Sequence, residues 1–397
     1  MTAPLSLYVH IPFCTAKCGY CDFNSYAGQD HLIPAYDRAL DRELRLWARS
    51  LGSRPVPTVY FGGGTPSLTP LEELAGVAAT IRECFGLDPD VEWSLEANPG
   101  TVNEAYLRGL RALGVNRLSF GVQSFDDAEL RALERIHTAD DVRREVAAAR
   151  AAGFDNVNLD LIFGLPGQTL EGWRRNLEEA LRLEPEHLSV YALTVEEGTA
   201  LARDVARGRK PAPDPDLQAD MYELTERMLA DAGYEHYELS NWAKPGRRCR
   251  HNLVYWRNQE YLGVGAGAHS YVDGVRFANE RLPSRYLAAV NETWDAWQGG
   301  GPTTMRQVAS VEREPPELQM AETAILGLRL VGGVDLAAFE QRHGRAFEEV
   351  YAVELPELFA YGLLERADGH IRFTPRGRLL GNEVFQRLLP LQCGAEA

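Results

Sequence analysis

The sequence has no long apolar run and no long basic run. A membrane-spanning helix needs roughly eighteen or more uncharged apolar residues, and no window reaches that length. Residues 1–10 contain no basic segment followed by an apolar stretch, as a secretion signal would. We therefore expect a cytoplasmic protein. Lys and Arg number 41 against 57 Asp and Glu, for a formal charge of −16, so nucleic acid is not an expected partner.

Cysteine is scarce as well, with six residues in 397, and three of them fall within eight positions, at Cys14, Cys18 and Cys21. The other three lie far away in sequence, at Cys84, Cys249 and Cys393. Disulfide scaffolds are short chains with cysteines spread throughout. The crowding therefore predicts a metal site in a reducing compartment.

Composition excludes disorder, because 45% of the residues are hydrophobic and 25% are charged, as in ordinary globular chains. Up to about residue 240, short apolar strands alternate with helical patterns, which is typical of βα units around a parallel sheet. One of the helices is expected to start at a capping box, Thr69-Pro70-Leu71-Glu72. Six strands are predicted, at Leu5–His10, Thr58–Phe61, Val91–Glu96, Asn116–Phe120, Asn156–Ile162 and His187–Leu193.

Polar or glycine-rich residues follow the end of every predicted strand and are not confined to one crevice of the sheet. Active-site residues of α/β barrels are found at that end of the strands, whereas a doubly wound sheet concentrates them at one switch point. We therefore predict an α/β fold with an incomplete (βα)6 barrel.

A second domain is predicted after the linker-like segment that starts at Gly299, which divides the chain into 1–300 and 301–397. Helices followed by a hairpin at Asp368-Gly369 resemble a winged helix. The acidic charge favours a lid or docking module over DNA binding. The predicted helices are Met320–Leu330, Leu336–Arg342 and Tyr351–Tyr361.

The crowded cysteines place three soft thiolates on one short loop, which suits an iron-sulfur cluster or zinc. A structural zinc site takes four protein ligands, usually in two pairs, and no second pair is present in the sequence. Three thiolates on a four-iron cube leave one iron open to a ligand. We therefore predict a 4Fe-4S cluster held by Cys14, Cys18 and Cys21.

The segment Tyr8-Val9-His10-Ile11-Pro12-Phe13-Cys14 and the two cysteines after it resemble the opening of the radical SAM coproporphyrinogen oxidase family. The resemblance extends over nearly the whole chain. It implies that the open iron binds S-adenosylmethionine (SAM), and that one-electron reduction cleaves SAM to a 5'-deoxyadenosyl radical.

The same resemblance implies a set of SAM-binding residues at the strand ends. Gly63, Gly64 and Thr65 match the loop that meets the methionine amino group, and glycines let a backbone approach a ligand closely. Ala192 and His269 align less securely with contacts to the nucleoside. The remaining matches to SAM contacts are Tyr8, Glu96, Gln123, Arg135 and Asp160.

Two departures separate the chain from the oxidases of that family. Asp22-Phe23 follows Cys21 where the oxidases have a further cysteine, and the cluster motif begins near residue 8 without their N-terminal extension. The segment His251-Asn252-Leu253-Val254-Tyr255-Trp256 has the H-N-x-x-Y-W form of the haem chaperone branch. We therefore expect a haem chaperone, with a porphyrinogen-modifying enzyme as the alternative.

His251 is the expected haem ligand, because neutral imidazole is a common axial ligand of haem iron. Cys249 is a second candidate that the sequence does not exclude. The resemblance implies three bound groups, namely the 4Fe-4S cluster, SAM and haem, and apo-haemoproteins as partners that receive haem. Transient contact with membrane haemoproteins and a homodimer are further expectations.

Overall fold

The structure is a computed structural model of the chain that describes residues 3–299 and 304–390. Its strands are β1 (Ser6–Ile11), β2 (Phe13–Cys14), β3 (Tyr26–Ala27), β4 (Pro55–Gly63), β5 (Gly86–Ala97), β6 (Arg117–Gln123), β7 (Val157–Phe163), β8 (His187–Ala192), β9 (Glu235–Glu238), β10 (Asn241–Ala243), β11 (Tyr261–Val264), β12 (His269–Val272), β13 (Val275–Asn279), β14 (Val308–Glu312), β15 (Val334–Asp335), β16 (Leu364–Ala367) and β17 (His370–Phe373).

Helices cover the outside of the sheet and form most of the C-terminal part of the chain. They are α1 (Ile33–Leu51), α2 (Leu71–Cys84), α3 (Glu104–Ala112), α4 (Asp127–Ala132), α5 (Ala139–Ala151), α6 (Leu170–Arg182), α7 (Ala200–Ala206), α8 (Pro215–Asp231), α9 (Arg250–Trp256), α10 (Pro283–Gln298), α11 (Pro316–Leu328), α12 (Leu336–His343), α13 (Phe347–Val350), α14 (Glu354–Ala360), α15 (Pro375–Leu379) and α16 (Gly381–Leu388). None in the described part of the chain is long and apolar enough to cross a bilayer.

Twelve strands form one open sheet in the order β14-β13-β12-β11-β1-β4-β5-β6-β7-β8-β10-β9. The seven strands from β11 to β8 are parallel. The six predicted strands are confirmed as β1, β4, β5, β6, β7 and β8. The seventh parallel strand, β11, was not predicted, because its four residues show no clear alternation.

The alternation of side chains along β1 explains why the barrel lumen is polar. Leu7 and Val9 are buried in the main hydrophobic core, while Tyr8 and His10 line a cavity. Successive side chains of a strand point to opposite faces, so the apolar set packs under the helices and the polar set faces the lumen. The strand ends therefore gather polar groups at one mouth.

The capping box predicted at the start of α2 is wrong. Pro70 is the N-cap and offers no side-chain hydrogen bond, while its carbonyl accepts from the amides of Glu73 and Leu74, both at 3.1 Å. The hydroxyl of Thr69 is buried without a hydrogen-bond partner among the described residues. A residue before proline is pushed away from helical geometry, which moves Thr69 outside the helix.

The C-terminal part has its own core, and its predicted helices correspond to α11, α12 and α14. The predicted hairpin turn is present, with positive φ of 50° at Asp368 and 77° at Gly369, joining β16 to β17. β14 pairs with β13 of the large sheet, so that sheet continues past residue 300, where we expected the second domain to begin. The predicted linker residues 300–302 lie outside the described residues.

Candidate cluster and cofactor site

The loop that carries the three cysteines is fixed at both ends by a small sheet. β2 ends on Cys14 and pairs with β3 through Phe13 and Tyr26. Within the loop, the amide of Cys21 donates to the carbonyl of Cys18 at 3.1 Å. All three thiols are free and partly exposed. The structure thus brings the predicted ligands onto one short, anchored loop at the carboxyl end of β1.

Two of the three thiols lie near a hydroxyl group. The Thr65 hydroxyl is 3.6 Å from the Cys14 sulfur, and the Ser25 hydroxyl is 4.0 Å from the Cys21 sulfur. Burial raises the pKa of the Cys14 and Cys21 thiols, so a bound metal is needed to hold them as thiolates.

The donor set fits a cluster with three thiolate ligands. Donors close to the sulfurs are one of the ways in which a protein tunes such a cluster. Among the residues that the structure describes, no group of three or more His, Cys, Asp or Glu side chains converges tightly enough to hold a single metal ion. A structural zinc site takes four protein ligands, whereas the loop supplies three thiolates.

The glycine loop after β4 passes so close to β1 and β2 that only glycine fits. Gly63 has φ of +118°, and a Cβ there would lie 2.6 Å from the His10 ring; a Cβ on Gly64 would lie 2.6 Å from the Phe13 carbonyl oxygen. The amide of Thr65 donates to the same Phe13 carbonyl at 2.8 Å. The absence of side chains therefore brings the predicted SAM loop against the cysteine loop.

Glu96, at the end of β5, is held by this glycine loop and by a lumen tyrosine. One carboxylate oxygen accepts from the amide of Gly63 at 3.1 Å, and the other accepts from the hydroxyl of Tyr60 at 2.8 Å. The pKa of Glu96 is raised to about 7, mainly by burial and to a smaller extent by the nearby carboxylate of Asp160. A cationic ligand beside such a carboxyl group would favour its ionised form.

Two further predicted residues project from the next strands. Asp160 accepts from the hydroxyl of Ser119 at 3.1 Å and from the amide of Asn158 at 2.8 Å, and burial raises the pKa of Asp160. Gln123 ends β6 with a positive φ of 66°, which is uncommon for a residue other than glycine and is typical of functional sites. Gln123 lies at the carboxyl end of β6, whereas Asp160 lies in the middle of β7.

Arg135 lies beside the cysteine loop. Its guanidinium donates to the side-chain oxygen of Asn98 at 2.6 Å and to the carbonyl of Gly121 at 2.7 Å, and it lies 3.6 Å from the Cys18 sulfur. Cys18, Thr65, Asn98 and Arg135 line one small pocket. The structure thus brings Arg135 to the cluster segment.

His251 lies beneath the barrel lumen on α9 and is 1% exposed. Its Nδ1 is 2.7 Å from the Thr58 hydroxyl, and its Nε2 is 2.9 Å from the Tyr255 hydroxyl. The ring stacks on Tyr60 with centroids 5.1 Å apart. Burial lowers the pKa of His251 to about 3, so the imidazole is neutral. Both ring nitrogens are hydrogen-bonded, and iron ligation by His251 requires that either Thr58 or Tyr255 give up its contact with the ring.

Cys249, the alternative haem ligand, is fully buried at the start of α9. Its sulfur is 3.6 Å from a carboxylate oxygen of Glu92. Burial, which outweighs the opposing charge of Arg117, raises the pKa of the Cys249 thiol to about 12. The thiol is therefore protonated at neutral pH, while thiolate is the form that binds metals.

One cavity of about 490 Å³ opens between the cysteine loop and the loop after β11. Tyr8, Gly63 and Glu96 lie on its walls, together with residues from later in the chain. His269, which aligns less securely with a family contact to the nucleoside of SAM, is exposed and also lines this cavity. Ala192 is exposed at the end of β8.

Two family models match the chain, the radical SAM superfamily over residues 8–180 and the HemN C-terminal domain over 315–380. The protein named heme chaperone HemW of Bacillus subtilis is 37% identical over 97% of this chain and 99% of its own length. The protein of that name from Mycobacterium tuberculosis is 40% identical over 97% and 95%. The chain belongs to the HemW haem chaperone family.

The solved coproporphyrinogen III oxidase HemN of Escherichia coli, described as a radical SAM enzyme, matches with a TM-score of 0.83 and 27% identity, over 97% of this chain and 90% of that one. This likeness confirms the predicted α/β radical SAM barrel and C-terminal helical domain. As a HemW-family member of the radical SAM superfamily, the chain takes a 4Fe-4S cluster and SAM as cofactors.

Several residues at the site of this HemW-family protein were not predicted from its sequence. Tyr60 holds Glu96, and the inward alternation along β4 could have revealed it. Asn98 bridges Thr65 and Arg135, at 2.8 and 2.6 Å, and it follows β5 directly. Arg281 lines the cavity, but no local pattern in the sequence marks it.

Proposed function

We propose that this protein binds haem and delivers it to apo-haemoproteins, using a barrel that also holds the 4Fe-4S cluster and SAM. The observation that carries the proposal is the match, over 97% of the chain, to proteins named as haem chaperones. Phe23 is 65% exposed at the position where the oxidases have a further cysteine, which favours the chaperone over a porphyrinogen-modifying enzyme.

Cys14, Cys18 and Cys21 are the proposed cluster ligands, and the surrounding strand ends are the proposed SAM contacts. Gly63, with a φ that glycine adopts freely, offers SAM a close backbone approach. When bound, the cluster and SAM supply one-electron chemistry. The chain's own part is to anchor the three thiolates and to place the carboxyl group of Glu96 toward a cationic ligand. Tyrosine side chains line the cavity beside that carboxyl group.

The proposed recipients are apo-haemoproteins, including membrane-bound ones reached by transient contact. The chaperone would act in the cytoplasm and, in a further proposal, as a homodimer. The ligand role of His251 stays a prediction. Sedimentation of the reconstituted protein with and without haem tests the dimer, since a monomer under both conditions would contradict it.

The central test is anaerobic reconstitution followed by haem titration and transfer to an apo-haemoprotein, with and without SAM. We expect stoichiometric binding and transfer faster than from free haem. His251→Ala is compared with His187→Ala, because His187 is also fully buried and bonded through both ring nitrogens, to Asn158 and Tyr237. If the parent binds no haem above the level of an unrelated acidic protein, the proposed function is wrong.

A further inference from the structure

A short basic run of the sequence lies directly beside the cysteine loop. The cations of this run occur in α7 and the turn after it, at Arg203, Arg207, Arg209 and Lys210. In the first turn of α7, the amide of Leu201 donates to the carbonyl of Gly19 at 2.8 Å. This hydrogen bond ties the basic run to the loop that carries the three cysteines.

The end of α4 packs against the same run. The ammonium group of Lys210 donates to the carbonyl of Ala132 at 3.4 Å. Leu133 and Leu201 belong to one buried hydrophobic cluster, and Tyr20 of the cysteine loop packs against it. Three stretches of chain that are far apart in sequence therefore form one continuous surface.

We define the loop-side basic surface as residues 14–21, 131–137 and 199–211. These segments carry seven Lys and Arg residues against two acidic ones, Glu134 and Asp204. The whole chain, by contrast, has a formal charge of −16. The surface is therefore a local concentration of positive charge on an acidic protein.

Most of these cations have no carboxylate partner in the described part of the chain. Arg209 pairs with Asp204 at 3.4 Å. Arg131, Arg203 and Arg207 are exposed and form no ion pair with any residue that the structure describes. Their charges are therefore available to a partner.

Acidic residues border this surface but leave its centre positive. Glu196 and Glu197 precede α7 and are exposed, while Asp140 pairs with Arg143 at 2.6 Å. Within the basic run itself, Asp204 is the single carboxylate. The positive charge is therefore centred on α7 and the turn after it.

A second basic run of the chain shows the opposite arrangement. Near the start of α9, Lys244, Arg247, Arg248 and Arg250 each lie between 3.1 and 3.9 Å from a carboxylate oxygen. Ion pairs within the chain account for that run. Among the described residues, no such set of pairs accounts for the cations beside the cysteine loop.

The loop-side basic surface also has an exposed apolar side chain. Ile136 is 66% exposed, and together with Thr15 and Ala16 it lines the small pocket that reaches Cys18. Protein interfaces combine apolar contacts with a polar rim, and those of electron-transfer partners are among the smallest. An apolar contact beside several cations fits such an interface.

We propose that the loop-side basic surface is the docking site of an acidic protein that carries one electron at a time. A carrier bound there adjoins the cysteine loop. The net charge of this chain repels an acidic carrier, so the encounter is favoured only where positive charge is concentrated. In the transfer the reduced carrier loses one electron and the oxidised cluster gains it, with no bond made or broken and no proton moved.

The test uses the full-length chain with its cluster reconstituted and oxidised, and a reduced, acidic plant-type ferredoxin as the probe. Stopped-flow absorbance measures the rate of cluster reduction. At low salt, the triple variant Arg131→Gln, Arg203→Gln and Arg207→Gln should be reduced at least tenfold more slowly than the parent, within the ~10–10³ range of electrostatic steering. The corresponding triple Lys variant should keep most of the parent rate, because the charges are retained.

Two controls separate docking from other effects of charge. The triple variant Arg313→Gln, Arg345→Gln and Arg376→Gln removes the same charge from three exposed arginines of the C-terminal part, and it should keep the parent rate. Reduced methyl viologen is a small cation that needs no docking surface, so it should reduce every variant at least as fast as the parent. High salt should slow the reaction of the parent with ferredoxin.

Several outcomes would overturn the proposal. Equal ferredoxin rates in the parent and the first triple variant, or a parent rate independent of salt, would show that these cations do not guide docking. Equal slowing of the C-terminal control would make net charge the cause. Slowing with both reductants would mean that the charges act on the cluster itself.

A membrane is the alternative occupant of this surface. If the parent pellets with phosphatidylglycerol vesicles and the first triple variant does not, while ferredoxin reduces both at the same rate, the surface contacts lipid and the carrier proposal is wrong. None of these measurements involves haem. Their outcome therefore does not depend on whether the proposed haem transfer is correct.

Discussion

The guanidinium of Arg135 lies 3.6 Å from the sulfur of Cys18, although 117 positions separate the two residues in the chain. Hydrogen bonds to Asn98 and to the carbonyl of Gly121 fix its orientation. A positive charge at this distance from a predicted cluster ligand would stabilise the more negative, reduced form of the cluster. We therefore predict that Arg135 acts on the cluster through its charge, in addition to any contact with SAM.

Replacement of Arg135 should lower the reduction potential of the cluster. Arg135→Gln removes the charge, and we expect a shift to more negative values on the order of tens of millivolts. Arg135→Lys should shift it less, because the charge is kept while the paired hydrogen bonds are lost. Anaerobic redox titration followed by EPR measures both. An unchanged potential in Arg135→Gln, at full cluster content, would contradict this role.

The three cysteines of the loop should be needed for the cluster and the other cysteines should not. Reconstituted parent protein should hold about four irons and four sulfides, and replacement of Cys14, Cys18 or Cys21 by Ala should abolish this content. Cys84→Ala and Cys249→Ala serve as controls, with iron and acid-labile sulfide as the assay. A control variant that lost the cluster while remaining folded would show that the ligand assignment is incomplete.

SAM affinity should rise with pH through about 7 because of Glu96. Burial and Asp160 raise the pKa of this carboxyl group to about 7, and SAM carries net positive charge. Binding should therefore favour the ionised form and release a proton near neutral pH. Isothermal titration in buffers of different ionisation enthalpy measures that proton. Glu96→Gln should bind more weakly, with no such release; equal release in parent and variant would exclude Glu96 as its source.

His251 should contribute strongly to stability, and His269 should not. His251→Ala removes two buried hydrogen bonds and leaves a cavity, so we expect a loss of about 2–4 kcal/mol in the free energy of unfolding. His269→Ala changes an exposed side chain and should cost less than about 0.5 kcal/mol. Urea unfolding under anaerobic conditions measures both. Equal and small losses would mean that the contacts of His251 in α9 contribute little.

His251 should also make the stability of the protein depend on pH. The pKa of His251 is lowered by burial to about 3 in the folded protein, so the unfolded chain binds a proton there that the folded chain does not. The contribution of His251 to stability is therefore complete above its unfolded pKa of about 6.5 and is lost as the pH falls toward 3. His251→Ala should show a shallower loss of stability between pH 6.5 and 4 than the parent.

The protein should not convert coproporphyrinogen to protoporphyrinogen, even with SAM and reductant. The segment Asp22-Phe23 stands where the oxidases have their further cysteine. Product analysis by chromatography, with an active oxidase as the positive control, tests this. Several turnovers per chain would favour the enzyme over the chaperone.

Local patterns in the sequence determined much of the framework. Six of the seven parallel strands were predicted, because apolar alternation and the intervening helices are properties of short segments. The spacing of Cys14, Cys18 and Cys21 indicated three ligands on one loop, which the anchoring by β2 and β3 supports. The capping box at Thr69 was wrong, since the pattern did not take account of the conformation before Pro70.

Only the tertiary structure decided what surrounds each functional side chain. His251 meets the hydroxyl of Thr58 across 193 positions, and Gly265 meets the carboxylate of Glu43 across 222. Such contacts depend on the order, register and curvature of the whole sheet, which no single segment contains. The sequence by itself identified an H-N-x-x-Y-W segment with a candidate ligand. The fold buried that imidazole between two hydroxyl groups and placed the exposed side chain of His269 at the cavity.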